Sequence, residues 1–137
     1  MIGILRCVTR RYVVFGAGAI GGVMAALLDR AGLEVALIAR GAHLAAIREA
    51  GLTLRTSEGF TTVRVRAVGT AGEVGWRDDD IVLLAVKSQD TDAALRDLTA
   101  AAPPSLTVVC AQNLSLIHIY RSPARWGSAC SRLNSNV

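Results

Sequence analysis

Arg11-Tyr12-Val13-Val14-Phe15-Gly16-Ala17-Gly18-Ala19-Ile20-Gly21-Gly22 sets a β-branched and aromatic run directly ahead of a Gly-x-Gly-x-x-Gly turn, and an alanine-rich stretch follows. A strand that ends in such a turn and opens into a helix is the sequence signature of a dinucleotide-binding βα unit. Each glycine has a separate physical reason. Gly16 permits the tight strand-to-helix turn, Gly18 lets the backbone approach a pyrophosphate, and Gly21 lets the helix pack closely on the strand. The phosphates are expected on the N–H groups of the segment Gly16, Ala17, Gly18, Ala19, Ile20 and Gly21, where the helix dipole favours negative charge.

Composition limits what can be built around this turn. A chain of 137 residues with 52% hydrophobic content has enough apolar surface for one core, so one domain is expected. The net charge of +4 comes from scattered arginines, and with aromatics at 4% there is no stacking platform for bases, which argues against nucleic acid as a partner. Cysteines 7, 110 and 130 form neither a Cys-x-x-Cys pair nor an even disulfide set. They read as reduced thiols of a cytoplasmic protein, and no metal site is implied. The uncharged stretch from Tyr12 to Leu28 follows Arg6, Arg10 and Arg11, so a signal peptide or short membrane span has to be weighed. Four glycines within residues 16–22 weaken that alternative, as does the string of α/β elements that follows.

Downstream, the pattern alternates. It predicts a strand over 11–15, a helix over 19–31 ending at Gly32, a strand over 34–39, and a helix over 42–50 ending at Gly51. Leu52–Thr56 and Thr61–Val68 alternate apolar with polar around Ser57-Glu58-Gly59, as in a hairpin with one wet face, inserted or at an edge. Ile81–Val86 is apolar without alternation, which suits a parallel strand covered on both faces. A helix over 90–101, stopped by Pro103-Pro104, and a second buried strand over 106–111 complete the series. The expected fold is an α/β, Rossmann-type, doubly wound parallel sheet with ligands beyond the carboxyl ends of its strands.

That rule selects the candidate residues. The strand ends carry the glycine turn, Arg40, the segment Lys87-Ser88-Gln89-Asp90, and Gln112-Asn113. NAD-binding sheets usually end their second strand in an acid that holds the adenosine ribose hydroxyls. Here the position holds Arg40, and the nearby Glu34 lies at the opposite end of that strand. A guanidinium suits phosphate oxygens, so Arg40 points to NADP, the competing reading being an exposed strand-end arginine. Lys87 is either a phosphate or substrate contact or a solvated strand cap. Asp78-Asp79-Asp80 reads as a solvated turn rather than a metal site, Trp76 as packing over that turn, Cys110 as a small buried hydrophobe, and His43 as a surface or capping residue.

The segments 11–22, Leu37-Ile-Ala-Arg-Gly-Ala-His-Leu-Ala-Ala-Ile-Arg, Val86-Lys-Ser-Gln-Asp-Thr and Cys110-Ala-Gln-Asn, in this order, resemble the ketopantoate reductases, also called 2-dehydropantoate 2-reductases. The resemblance covers residues 11–113, the NADP-binding half of that family. It implies that Arg40 binds the adenosine 2′-phosphate, that Lys87 lies near that end of the cofactor, that Gln89 or its neighbour Asp90 makes a polar cofactor contact, and that Asn113 faces the nicotinamide and substrate cleft. It implies NADPH as cofactor and a ketoacid as small-molecule substrate, reduced to pantoate on the route to coenzyme A. The family takes its catalytic lysine and a substrate-holding glutamate from an all-helical C-terminal domain. Lys87 is the only lysine of this chain, and the match assigns it to the cofactor half, so no catalytic residue is expected here and the chain is expected to be inactive by itself.

The match breaks after Asn113, where the family pattern continues with Gly. Leu114-Ser-Leu-Ile-His-Ile corresponds to one reading frame of a transposon end used in sequencing-library preparation. Residues 114–137 are therefore expected to be adapter or chimeric translation, the alternative being a divergent strand with a disordered tail, and residues 1–10 an extension ahead of the family's usual start. A non-catalytic nucleotide-sensing module uses the same glycine turn, but such modules commonly keep an acid at the end of the second strand. Arg40 discriminates against that class.

Overall fold

The computed structural model describes residues 10–112. Its elements in order are β1 (Tyr12–Phe15), α1 (Ala19–Arg30), β2 (Val35–Ile38), α2 (Gly41–Ala50), β3 (Leu52–Thr56), β4 (Gly59–Val63), β5 (Arg66–Val68), β6 (Ile81–Leu84), α3 (Thr91–Ala101) and β7 (Thr107–Cys110). Single 3₁₀ turns at Ala71–Glu73 and Ser88–Asp90 precede β6 and α3 respectively. Five strands form one parallel sheet in the order β5-β2-β1-β6-β7, and β3 and β4 pair antiparallel as a separate hairpin. Helices lie on both faces. This is the Rossmann-type doubly wound arrangement, with the reversal of strand order between β1 and β6.

The lack of alternation in the central strands follows from what covers them. Val13 and Phe15, with Ile38, Val82 and Leu84, face Ala94 and Leu98 of α3. Val14, Leu37 and Leu83 face Ala25 of α1 and Ile47 of α2. Each residue of these strands therefore has an apolar layer to enter, whichever way it points. The hairpin keeps the expected alternation. Leu54 and Val63 pack on Ala26 of α1, while Arg55 lies outside over the exposed Phe60 ring, 5.8 Å from its centroid.

Three expectations are corrected. Thr61–Val68 is not one hairpin arm, because the chain leaves the hairpin after Val63 and Arg66–Val68 joins the main sheet parallel to β2. The last described strand, β7, is not buried. Among the described residues it is the last strand of the sheet, its burial runs exposed, half-buried, exposed, exposed, and Cys110 is exposed with it. The third correction concerns Asp80, which is 1% exposed rather than solvated. The β1–β6 register pairs Tyr12 with Ile81, so the residues immediately before them, Arg11 and Asp80, become neighbours at the amino-terminal end of the sheet. Arg11 donates to Asp80 through Nε at 2.9 Å and Nη2 at 2.6 Å, and to the Gly75 carbonyl at 2.8 Å. The Arg77 amide donates to the same carboxylate at 2.8 Å. Trp76 packs against the core cluster that holds Ala71 and Val74, its indole donating to the Ala71 carbonyl at 2.9 Å.

Among the described residues no helix is long and apolar enough to cross a membrane. The uncharged stretch 12–28 is instead a strand, a turn and most of a helix.

Candidate functional site

A cleft of about 370 Å³ opens at the carboxyl ends of β1, β2 and β6. Its floor is the glycine turn. Gly16 has φ of 110°, and a side chain there would press within 3.0 Å of the Ala85 carbonyl and the Val86 side chain. Only glycine fits that corner. A methyl group on Gly21 would overlap the Gly16 carbonyl outright, so this glycine lets the first turn of α1 fold back on the end of β1. Gly18 differs from both. A methyl group there would meet no heavy atom within 4 Å, because that side of the residue faces the open cleft.

Gly18 is also the residue before α1, and no side chain caps that end. The first intrahelical bond runs from the Gly22 amide to the Gly18 carbonyl at 2.8 Å. The amides of the opening turn, including those of Ala19 and Ile20, consequently have no helical partner. With no acidic residue in that turn, the local dipole is left available to an anion.

Side chains from three other elements complete the cleft. Arg40 lies between β2 and α2 as the N-cap of α2, and its side chain is 58% exposed at the cleft wall. Lys87, Gln89 and Asp90 line the segment after β6. That segment is braced from just beyond β7: Gln112 Nε2 donates to the Val86 carbonyl at 2.9 Å and to the Thr91 hydroxyl at 2.7 Å. Thr91 in turn donates to the Lys87 carbonyl at 3.4 Å. Lys87 and Arg40 thus enter from different strand ends.

Of the residues singled out from the sequence, Gly16, Ala17, Gly18, Arg40, Lys87 and Gln89 line one cleft. Ala19, Ile20 and Gly21 are not part of its lining. Ala19 and Ile20 lie exposed on the first turn of α1, and Gly21 is buried under the turn. Asn113 lies outside the described residues, as do residues 1–9 and 114–137. Two residues went unpredicted. His43 is exposed but lines the cleft, and it does not cap α2, whose N-cap is Arg40. Its spacing of three from Arg40 on a helix start was the available signal. Asp97 stands beside Arg40, with the nearer oxygen 3.7 Å from Nη2. Fifty-seven residues separate the pair, and nothing in the local sequence brings them together.

Glu34 lies where the sequence put it, at the start of β2. It receives both Arg77 Nη atoms, at 2.7 and 2.8 Å, and these hydrogen bonds hold its carboxyl below the ordinary carboxylate range. Six residues of extended chain put it roughly 20 Å from Arg40.

Comparison with known proteins gives a consistent result. Residues 12–115 match the family model described as Ketopantoate reductase PanE/ApbA. A 2-dehydropantoate 2-reductase of Mesorhizobium japonicum is 39% identical over 104 residues, which is 75% of this chain and 31% of that relative. A PanE/ApbA family ketopantoate reductase from Ralstonia eutropha has a crystal structure that superposes with a TM-score of 0.68 at 39% identity, over 75% of this chain and 34% of that one. A ternary structure of D-mandelate dehydrogenase with NADH and anilino(oxo)acetate superposes with a TM-score of 0.67 at 27% identity, over 75% and 33%. The chain therefore spans about a third of the length of these relatives.

Proposed function

The chain belongs to the ketopantoate reductase PanE/ApbA family, and from that premise we propose that residues 11–113 bind NADPH as the cofactor half of an enzyme that reduces a 2-ketoacid, 2-dehydropantoate or a close analogue, to the 2-hydroxy acid. The residues suit such a cofactor. The open side of Gly18 leaves room for a pyrophosphate to reach the backbone, and the uncapped amides of α1 supply donors for it. Gly16 and Gly21 hold the turn that aims those donors. When bound, the nicotinamide would supply the hydride. The contribution of this chain is to bind and orient it, with Lys87, Gln89 or Asp90 on one wall and Arg40 on the other.

Arg40 is the observation that carries the choice of NADPH. It follows β2 at the cleft wall, where NAD-binding sheets usually place an acid, and the nearby acid Glu34 lies before β2 at its far end, in a pair with Arg77. A guanidinium there offers paired donors to a 2′-phosphate and nothing comparable to a ribose hydroxyl. The proton required by the alkoxide is assigned to no residue of this chain, since the family resemblance takes its catalytic lysine and glutamate from a further domain.

The test is Arg40→Ala with both cofactors. Charge-assisted hydrogen bonds contribute about 1.5–3 kcal/mol, so NADPH affinity should fall roughly ten- to a hundred-fold while NADH changes less than about three-fold. Equal losses for the two would leave Arg40 as a support of the fold and remove the case for NADPH.

A further inference from the structure

Arg40 is already engaged. Its Nη2 stands 3.7 Å from Asp97 Oδ2, and its guanidinium carbon lies 6.0 Å from the centroid of the Phe15 ring. Asp97 is on α3, almost one turn beyond Ala94, which lines the cleft. The same Asp97 oxygen accepts the Ala71 amide at 3.2 Å, and the side chain is 28% exposed against 58% for Arg40. The carboxylate is therefore the anchored member of the pair and the guanidinium the freer one. At 3.7 Å the contact is an ion pair without a short hydrogen bond, and pairs this exposed bind weakly.

We propose that Asp97 is a positioning residue that sets the cofactor preference of the site: it parks Arg40 and thereby tempers the attraction for a 2′-phosphate. The inference rests on the NADPH reading above. A 2′-phosphate dianion has to draw Arg40 away from, or share it with, a fixed negative charge, whereas NADH makes no demand on Arg40. A carboxylate at this place thus lowers affinity selectively for the phosphorylated dinucleotide. At this exposure the opposing charge acts through a water-like dielectric, so the effect should be several-fold rather than several orders of magnitude, and salt should screen it.

The experiment measures NADPH and NADH dissociation constants for residues 1–137 and for Asp97→Asn, with circular dichroism to establish that each variant is folded. Asparagine keeps a carbonyl oxygen for the Ala71 amide and removes only the charge. NADPH should bind about five-fold tighter at roughly 20 mM salt, with the gain shrinking toward two-fold at roughly 0.5 M. NADH should change less than two-fold. In an Arg40→Ala background the same substitution should gain less than two-fold, since the effect passes through Arg40. If asparagine unfolds the chain, Asp97→Ser keeps a hydroxyl acceptor and carries the same expectations.

Unchanged or weakened NADPH binding, an equal gain for NADH, or a full gain without Arg40 would each overturn the inference while leaving the NADPH reading in place. A parent chain that binds NADH as tightly as NADPH, or loses nothing with Arg40→Ala, would overturn the reading and the inference together.

Discussion

Gly18 and Gly21 belong to one motif, yet their surroundings separate binding from folding. At Gly18 an added methyl group points into open cleft and the backbone angle, φ −72°, is one that alanine adopts. We expect Gly18→Ala to change stability by no more than about 1 kcal/mol, since the weaker N-cap and the stiffer unfolded chain oppose each other. NADPH affinity should nonetheless drop at least about ten-fold, because the methyl occupies the space a pyrophosphate needs. Gly21→Ala should do the reverse in order of cause. Its methyl overlaps the Gly16 carbonyl, so the turn must shift, at a cost of about 1–3 kcal/mol or more, and binding is lost as a result. Thermal melts alongside cofactor titrations of both variants would show this split. A large loss of stability in Gly18→Ala would contradict it. The tight turn at Gly16 and the close packing at Gly21 were legible in the sequence because their spacing has a strict geometric meaning. The position of Asp97 beside Arg40 was not, since it arises from packing of α3 against the sheet.

Among the elements, β1, α1, β2, α2, β6 and α3 could be read from the sequence because each has a run of one periodicity ended by a clear stop. Gly32 and Gly51, for example, follow α1 and α2 with φ of 78° and 82°. The strand β5 was hidden for the opposite reason. Alternation continues unbroken from Thr62 through Ala67, and period two says only that the chain is extended, not which sheet it joins. At β7 an apolar run was read as buried, but Thr107–Cys110 is the outermost strand among the described residues, and such a position leaves no trace in composition. The placement of Glu34 at the opposite end of β2 yields a prediction. Glu34→Gln should leave the ratio of NADPH to NADH affinity within about two-fold, being roughly 20 Å of strand away. Its pH effect has a definite sign. The Arg77 hydrogen bonds lower the Glu34 carboxyl, so the pair stabilises the fold above the ordinary carboxylate range and the benefit is lost as pH falls through the lowered value. Both groups are solvated, so only a shallow acid-side slope in melting temperature should disappear in the variant.

For the molecule as a whole, a buried ion pair ties the end of the sheet opposite the cleft. Arg11 and Asp80 are 3% and 1% exposed, and together they tie β1, β6 and the Gly75–Arg77 turn. Removing one partner strands a buried charge, so Asp80→Ala should cost about 3–5 kcal/mol. Against the roughly 5–15 kcal/mol that holds a domain together, urea unfolding should show a large shift in midpoint, and a loss below about 1 kcal/mol would mean that the pair is better hydrated than its burial indicates. The same sheet carries exposed apolar side chains on α1, Ile20, Val23 and Leu27, and Val109 on β7. The chain spans about a third of the length of the relatives it matches. The proposed preference for NADPH is tested directly by calorimetric titration of residues 1–137 with NADPH and NADH at about 0.1 M ionic strength. NADPH should bind at least about ten-fold tighter than NADH, as expected for a 2′-phosphate held by one guanidinium. Equal or tighter binding of NADH would contradict the account at its base.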